Sequence, residues 1–273
     1  MSQMPGSVVL VGAGKMGGAM LRGWLRLGID AGAVTVIDPW ATPEMIDFCL
    51  GSGVALNPKA ARRDPPEILV LAIKPQTLPD AGPALAAFIG PKTLVISILA
   101  GKTIADLHAR LPGAKAVIRA MPNTPAAVGR GITGVAASDT VSPAQRQATD
   151  ALLSSIGAVE WLPHEALIDA VTAVSGSGPA YVFYLVECLA SAGVAAGLPA
   201  DIALRLARAT VEGSGELMHR DPTTSPAQLR ANVTSPGGTT AAALEVLMAV
   251  DGMEPLMRRT VEAAKRRAGE LSG

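Results

Sequence analysis

The sequence predicts an α/β domain built on a doubly wound parallel sheet, followed by a domain made of helices alone. Short runs rich in Val, Ile and Leu alternate with helix-forming stretches as far as residue 162, the pattern of strands joined by crossover helices and buried on both faces. A glycine-rich turn joins the first of these runs to the first helical stretch. Beyond residue 162 no strand-like run occurs. A chain of 273 residues suits two domains of ordinary size, placed at 1–162 and 163–273.

The expected strands are Val8–Gly12, Val34–Asp38, Val54–Leu56, Ile68–Ile73, Thr93–Leu99, Ala116–Ala120, Ile132–Ala137 and a short one at Val159–Leu162. Between them, helices are expected at Met16–Leu27, Glu44–Leu50, Ala81–Ala87 and Ile104–Arg110. Ser142-Pro143-Ala144-Gln145 opens another: Ser caps, Pro fits the first helical position and Gln reaches back, with an end at Gly157. The second domain should hold helices at Glu165–Val174, Pro179–Ala196, Asp201–His219, Thr240–Ala249 and Glu254–Leu271, with a short one capped at Ser225. Gly213 and Gly215 inside the third cost about 1 kcal/mol each against Ala and imply close backbone packing.

Composition excludes several classes. Lys plus Arg and Asp plus Glu number 23 each, so nothing suggests a phosphate backbone or an acidic membrane surface as partner. Cys49 and Cys188 lie far apart, without the spacing of a metal site or a disulfide framework, and fit a reducing cytoplasm. No metal is expected. The N-terminus lacks a basic region before its short apolar stretch, so export is not expected either. Ala170 to Val186 is uncharged over nearly a membrane-spanning length. Ser175-Gly176-Ser177-Gly178-Pro179 interrupts it, and a buried domain-core helix is the expectation.

Gly12-Ala13-Gly14-Lys15-Met16-Gly17 is a GxGxxG between strand and helix, the context of a Rossmann-type dinucleotide site. Gly12 permits the tight turn, Gly14 lets N–H groups approach a pyrophosphate, and Gly17 lets the helix lie on the strand. Asp38, at the end of the second strand, stands where a carboxylate accepts bonds from an adenosine ribose, which favours NADH. Ala72-Ile73-Lys74-Pro75-Gln76 and Met121-Pro122-Asn123-Thr124-Pro125-Ala126 leave other strands at the carboxyl edge, where ligands of such sheets bind. Ser175 to Tyr181 and Thr234-Ser235-Pro236-Gly237-Gly238-Thr239-Thr240 each enter a helix with small residues that leave N–H groups open to an anion.

RAMPNTPAAVGRG at Arg119–Gly131, AVSGSGPAYVF at Ala173–Phe183 and TSPGGTT at Thr234–Thr240 resemble the Δ1-pyrroline-5-carboxylate reductases. GAGKMG, AIKPQ and SILAG at Ser97–Gly101 extend the resemblance over nearly the whole chain. It implies reduction of the cyclic imine 1-pyrroline-5-carboxylate to L-proline, the last step of proline biosynthesis, by a cytoplasmic homodimer whose helical domains interlock, with assembly on to a decamer. By the same resemblance Ser175, Gly176, Ser177, Gly178, Ser235, Gly237, Gly238 and Thr239 bind the substrate carboxylate and Thr240 contacts the ring nitrogen. Asn57, Ala72, Lys74, Pro75 and Asn123 join the GAGKMG loop and Asp38 in binding NADPH or NADH.

The chain departs from the family at Asp38-Pro39, where many members carry small or basic residues and prefer NADPH. A phosphate-binding cation would have to come from elsewhere, such as Arg62 or Arg63. The rivals are a related imine reductase, a β-hydroxyacid dehydrogenase and a non-catalytic dinucleotide-binding protein. The dehydrogenase needs a lysine on the long helix of its second domain, and Pro179 to Ala200 contains none. His108, His164 and His219 are expected on the surface without catalytic partners.

Overall fold

The computed structural model describes residues 5–59 and 64–272. All eight expected strands form: β1 (Val8–Val11), β2 (Val34–Ile37), β3 (Ala55–Leu56), β4 (Ile68–Leu71), β5 (Leu94–Ser97), β6 (Ala116–Met121), β7 (Gly131–Ala137) and β8 (Gly157–Trp161). They make one sheet in the order β3-β2-β1-β4-β5-β6-β7-β8. Strands β1 to β6 pair in parallel through α1 (Lys15–Arg26), α2 (Pro43–Ser52), α3 (Leu78–Ala86) and α4 (Ile104–Arg110).

The sheet is not wholly parallel, contrary to expectation. β7 runs antiparallel to β6, with Arg119 opposite Ala136. Only Pro122–Arg130 joins them, folded as a 3₁₀ turn over Thr124–Val128, and a parallel return needs a dozen or more residues of crossover. The next connection carries α5 (Pro143–Leu153), opened by the expected Ser142–Gln145 capping box, and β8 accordingly lies parallel to β7.

Successive side chains of a strand point to opposite faces, so the strands feed two cores. Val8, Leu10, Val34, Val36, Val70 and Ile96 meet Met20, Leu21 and Trp24 of α1 and Leu152 and Leu153 of α5. Val9, Val11, Leu69, Leu71, Val95 and Val117 meet Leu78 and Leu85 of α3 and Leu107 of α4. The fully buried Trp24 keeps its polar handle satisfied, since Nε1 donates to Leu152 O at 3.0 Å. Cys49, on the buried face of α2, has its thiol pKa pushed up by burial despite the nearby Arg22 cation.

By compactness the chain forms two units, 1–176 together with 265–273, and 177–264. The chain returns to the first unit through the end of its last helix, which the expected division at 162 did not include. The second unit holds α7 (Gly178–Ala195), α8 (Ala200–Arg220), α9 (Pro226–Asn232), α10 (Thr239–Leu247) and most of α11 (Met253–Ser272). Helix α7 has no buried residue, and Phe183, Tyr184, Leu185 and Leu189 on it are exposed. Glu165–Ala195 is long and apolar enough, by length and composition, to cross a membrane. The expectation of a buried core helix is therefore not met among the described residues. Likewise, Gly213 and Gly215 face open space rather than another backbone.

Arg119 sits in β6, almost wholly buried. Its guanidinium pairs with Glu165 at 3.1 Å and Asp169 at 3.6 Å, the latter on the short helix α6 (Ile168–Val171), and donates to Ser272 Oγ at 3.5 Å. Glu165 also accepts the N–H of Ile104 at the start of α4. Burial disfavours the Asp106 carboxylate on that helix, yet hydrogen bonds from Thr103 and the cations Lys102 and Arg119 outweigh it and hold its pKa below the usual range. One cation thus ties β6, α4, α6 and the last turn of α11. Replacing Arg119 with Ala should cost about 3 kcal/mol, the low end for removing one partner of a buried pair because both carboxylates keep some solvent. Chemical denaturation of the two proteins measures the shift.

Candidate functional site

The sheet order places a crevice at the carboxyl ends of β1 and β4, because the chain leaves β1 toward β2 and β3 and then returns to β4 on its other side. The GAGKMG loop fills this point. Gly12 has φ +91°, and a Cβ there would stand 2.6 Å from Ala72 O; a Cβ on Gly17 would collide with Gly12 O. These two positions let α1 start directly over β4. A Cβ on Gly14 would meet nothing within 4 Å, and Gly14 caps α1 without any side-chain bond. The N–H groups of Lys15 and Met16 therefore open the helix uncapped, beside free space, and this is the part of the loop that fits a pyrophosphate.

Ala13 is committed elsewhere. Its N–H donates to Asp38 Oδ2 at 2.8 Å, while Trp40 N–H donates to Asp38 Oδ1 at 2.9 Å. Asp38 both shapes the loop and caps the next turn. A carboxylate offers about four acceptor sites, so two remain for ribose hydroxyls. Asn57 has φ +45°, the one left-handed non-glycine backbone among the described residues. Its Oδ1 accepts Asp38 N–H and its Nδ2 donates to Asp38 O, both at 2.8 Å. Asn57 thus braces Asp38, with one remaining amide N–H for any ligand. Arg62 and Arg63 lie outside the described residues.

Lys74 is exposed at the tip after β4, where Pro75 opens a 3₁₀ turn and Thr77 Oγ1 donates to Lys74 O. Ala72 N–H donates to Val11 O at 2.8 Å, so its backbone serves the loop floor. Asn123 is buried, and its amide is used structurally: Oδ1 accepts Ile132 N–H at 3.0 Å and Nδ2 donates to Ser175 O at 3.1 Å. Ser175 lies in a π turn over Thr172–Gly176, a geometry frequent at functional sites, and its hydroxyl donates to Val171 O. Ser175 and Gly176 are thereby set by the RAMPN segment. Ser177 then opens α7 without a side-chain cap, with Gly178 first in the helix and Pro179 second.

In the second unit, Thr234–Thr240 folds as expected. Thr234 Oγ1 closes the end of α9 onto Arg230 O, and Gly238 N–H donates to Ser235 O at 3.0 Å. Gly237 takes φ +68°, and Gly238 caps α10 with no side-chain bond. Thr239 and Thr240 therefore occupy the first two positions of that helix, with the Ser235 hydroxyl exposed in the turn before them. Among the described residues no cluster of His, Cys, Asp and Glu could hold a metal. His108 is half-buried, not solvated, with Nδ1 against Ala114 O at 2.9 Å. Two features escaped the sequence reading. One is the Arg119 network, signalled only by an arginine in an otherwise apolar strand; the other is Trp40, exposed beside Asp38.

Residues 165–271 match the family described as pyrroline-5-carboxylate reductase dimerisation, and residues 7–101 match NADP oxidoreductase coenzyme F420-dependent. A pyrroline-5-carboxylate reductase of Pseudomonas aeruginosa is 38% identical over 97% of this chain and 96% of its own. Among solved structures, a pyrroline-5-carboxylate reductase from Coxiella burnetii is similar with a TM-score of 0.89 and 32% identity, covering 99% of this chain and 100% of that one. The Plasmodium falciparum pyrroline carboxylate reductase with NADP bound has a TM-score of 0.77 at 27% identity, with 100% of both chains covered. With its glycine loop, its π turn and its second helix entry folded as described, the chain belongs to the pyrroline-5-carboxylate reductase family.

Proposed function

We propose that this chain reduces 1-pyrroline-5-carboxylate to L-proline with NAD(P)H, the last step of proline biosynthesis, in the cytoplasm. The observation that carries the reading is the uncapped start of α1 beside Gly14, with Asp38 at the ribose position, in a chain of this family. The dinucleotide supplies a hydride when bound. Gly12, Gly14, Lys15, Met16 and Gly17 would hold its pyrophosphate and Asp38 its ribose, while Ala13, Asn57, Ala72, Pro75 and Asn123 shape that surface and Lys74 stands at its rim.

The chain's task toward the imine is placement. The protonated imine carries a cation and a carboxylate together, so neutral N–H donors suit it better than an Arg clamp. Backbone N–H groups of Ser175 to Gly178, and of Gly237, Gly238 and Thr239 beside Ser235, are assigned to the carboxylate, and the Thr240 hydroxyl to the ring nitrogen. Residues 163–273 serve as the substrate and dimerisation part, residues 1–162 as the dinucleotide part. A second copy of the chain covers the apolar faces of α7 and α8, and such dimers assemble further to a decamer.

Purified protein should oxidise NADH or NADPH only when 1-pyrroline-5-carboxylate is present, and the absence of turnover with both cofactors sinks the reading. Thr240→Ala should fold normally and lose roughly 10- to 150-fold in kcat/KM, as a hydroxyl bonded to a charged group contributes ~1.5–3 kcal/mol; wild-type kinetics would remove Thr240 from the site. NADH should have the higher kcat/KM, because Asp38 meets a 2′-phosphate with like charge, and Asp38→Ser should narrow or reverse the difference. A tenfold preference for NADPH that Asp38→Ser leaves unchanged would show that Asp38 does not read the ribose. Sedimentation at micromolar protein should reveal no stable monomer, and an active monomer would refute the shared interface.

A further inference from the structure

We propose that Trp40 is the plate on which the adenine of the dinucleotide stacks, so that the turn after β2 reads the base as Asp38 reads the ribose. The inference rests on the NAD(P)H reading and deepens it. Trp40 is 90% exposed, whereas Trp24 is fully buried. An indole offers one of the largest apolar surfaces of any side chain and a π face on which a planar base can stack.

Its backbone is not loose. Asp38-Pro39-Trp40-Ala41 closes as a β-turn in which Ala41 N–H donates to Asp38 O at 3.2 Å and Trp40 N–H donates to Asp38 Oδ1 at 2.9 Å. Pro39 supplies the fixed φ suited to the second position of such a turn. Asn57 braces Asp38 from β3's end, and Thr42 caps α2 immediately afterwards. A flat side chain held on an immobilised turn loses little freedom when a ligand covers it.

The occupant follows from what the turn is tied to. The carboxylate that holds the Trp40 backbone also holds Ala13 in the glycine loop, so the helix start, the ribose acceptor and the turn that carries the indole form one hydrogen-bonded unit. With the pyrophosphate on the start of α1 and the ribose on Asp38, the adenine, joined directly to that ribose, comes within reach of the Pro39–Trp40 turn whose N–H the same carboxylate holds. Every purine has an uncharged π face for an indole. A second copy of the chain is the poorer occupant, because Asp38, Pro39, Ala41 and Thr42 add no large apolar side chain from which to build an interface patch.

Full-length wild type, Trp40→Ala and Trp40→Phe are titrated with NADH by calorimetry, no imine being present. Trp40→Ala should bind NADH roughly 10-fold more weakly, and Trp40→Phe, which keeps a ring, should recover most of that loss. In wild type, ADP-ribose, which has the adenosine half and no nicotinamide, should quench indole emission, and the quench should vanish in Trp40→Phe although the variant still binds. Unchanged NADH affinity in Trp40→Ala overturns the proposal, as does an equal quench in Trp40→Phe or a wild type that binds no NADH. A Trp40→Ala protein that keeps its NADH affinity but sediments as a smaller species would assign Trp40 to a subunit contact instead. A protein that passes these binding tests but fails to reduce the imine would sink the proposed reaction and leave the adenine contact standing.

Discussion

The arrangement of the first unit turns on one carboxylate. Asp38 takes the N–H of Ala13 on one oxygen and that of Trp40 on the other, and its own backbone is gripped on both sides by the Asn57 amide. The glycine loop, the end of β2 and the end of β3 therefore hold their relative positions before any ligand arrives. Such fixed donors and acceptors lower the cost of binding, because little of the site has to be ordered when the ligand enters. The shape of the glycine loop and of the turn after β2 thus rests on one side chain. Removing the carboxylate also removes two hydrogen bonds, one from the glycine loop and one from the turn after β2, and a Ser at this position replaces at most part of them.

Much of this was legible in the residues, and what was missed has a physical reason. Val8–Val11 and Ile68–Leu71 read as strands because both faces of a parallel sheet are buried, which leaves unbroken apolar runs. Strand direction leaves no mark in such a run. The reversal at β7 was written only in the shortness of Pro122–Arg130. The roles of the two asparagines were hidden for a different reason. Asn123 read as a polar tip at a ligand edge and Asn57 entered only through the resemblance, but the amides of Asn57 and Asn123 bond backbone groups 19 and 52 residues away, and no local pattern records such partners. Arg119 was silent for the same reason, since its two carboxylates follow β8.

The helical unit shows where reading one chain reaches its boundary. Composition marked α7 as apolar, and burial was the natural inference, yet Phe183, Tyr184 and Leu185 stand exposed and Gly213 and Gly215 face nothing. An apolar surface of this kind loses its contact with water at a gain in free energy when another surface covers it. The family match over residues 165–271 bears the name of dimerisation. Hydropathy reports that a face must be covered; it does not report by which copy of the chain.

The helix starts separate structural from ligand-facing roles. Thr42, Thr103, Ser142 and Ser225 each cap their helix with a side-chain oxygen, which satisfies first-turn N–H groups internally. The helices opened by the three loops assigned to ligands, α1, α7 and α10, have no such bond. Lack of a cap is not sufficient in itself, since α8 begins after Pro199 without one. What distinguishes α1 and α10 is glycine at the cap, which places no oxygen of its own over the exposed N–H groups and leaves them to an anion. A Ser at Gly14 would supply that oxygen. It would stabilise α1 by a bond that covers the N–H groups proposed for a pyrophosphate, so on that proposal the stability that capping would add conflicts there with binding.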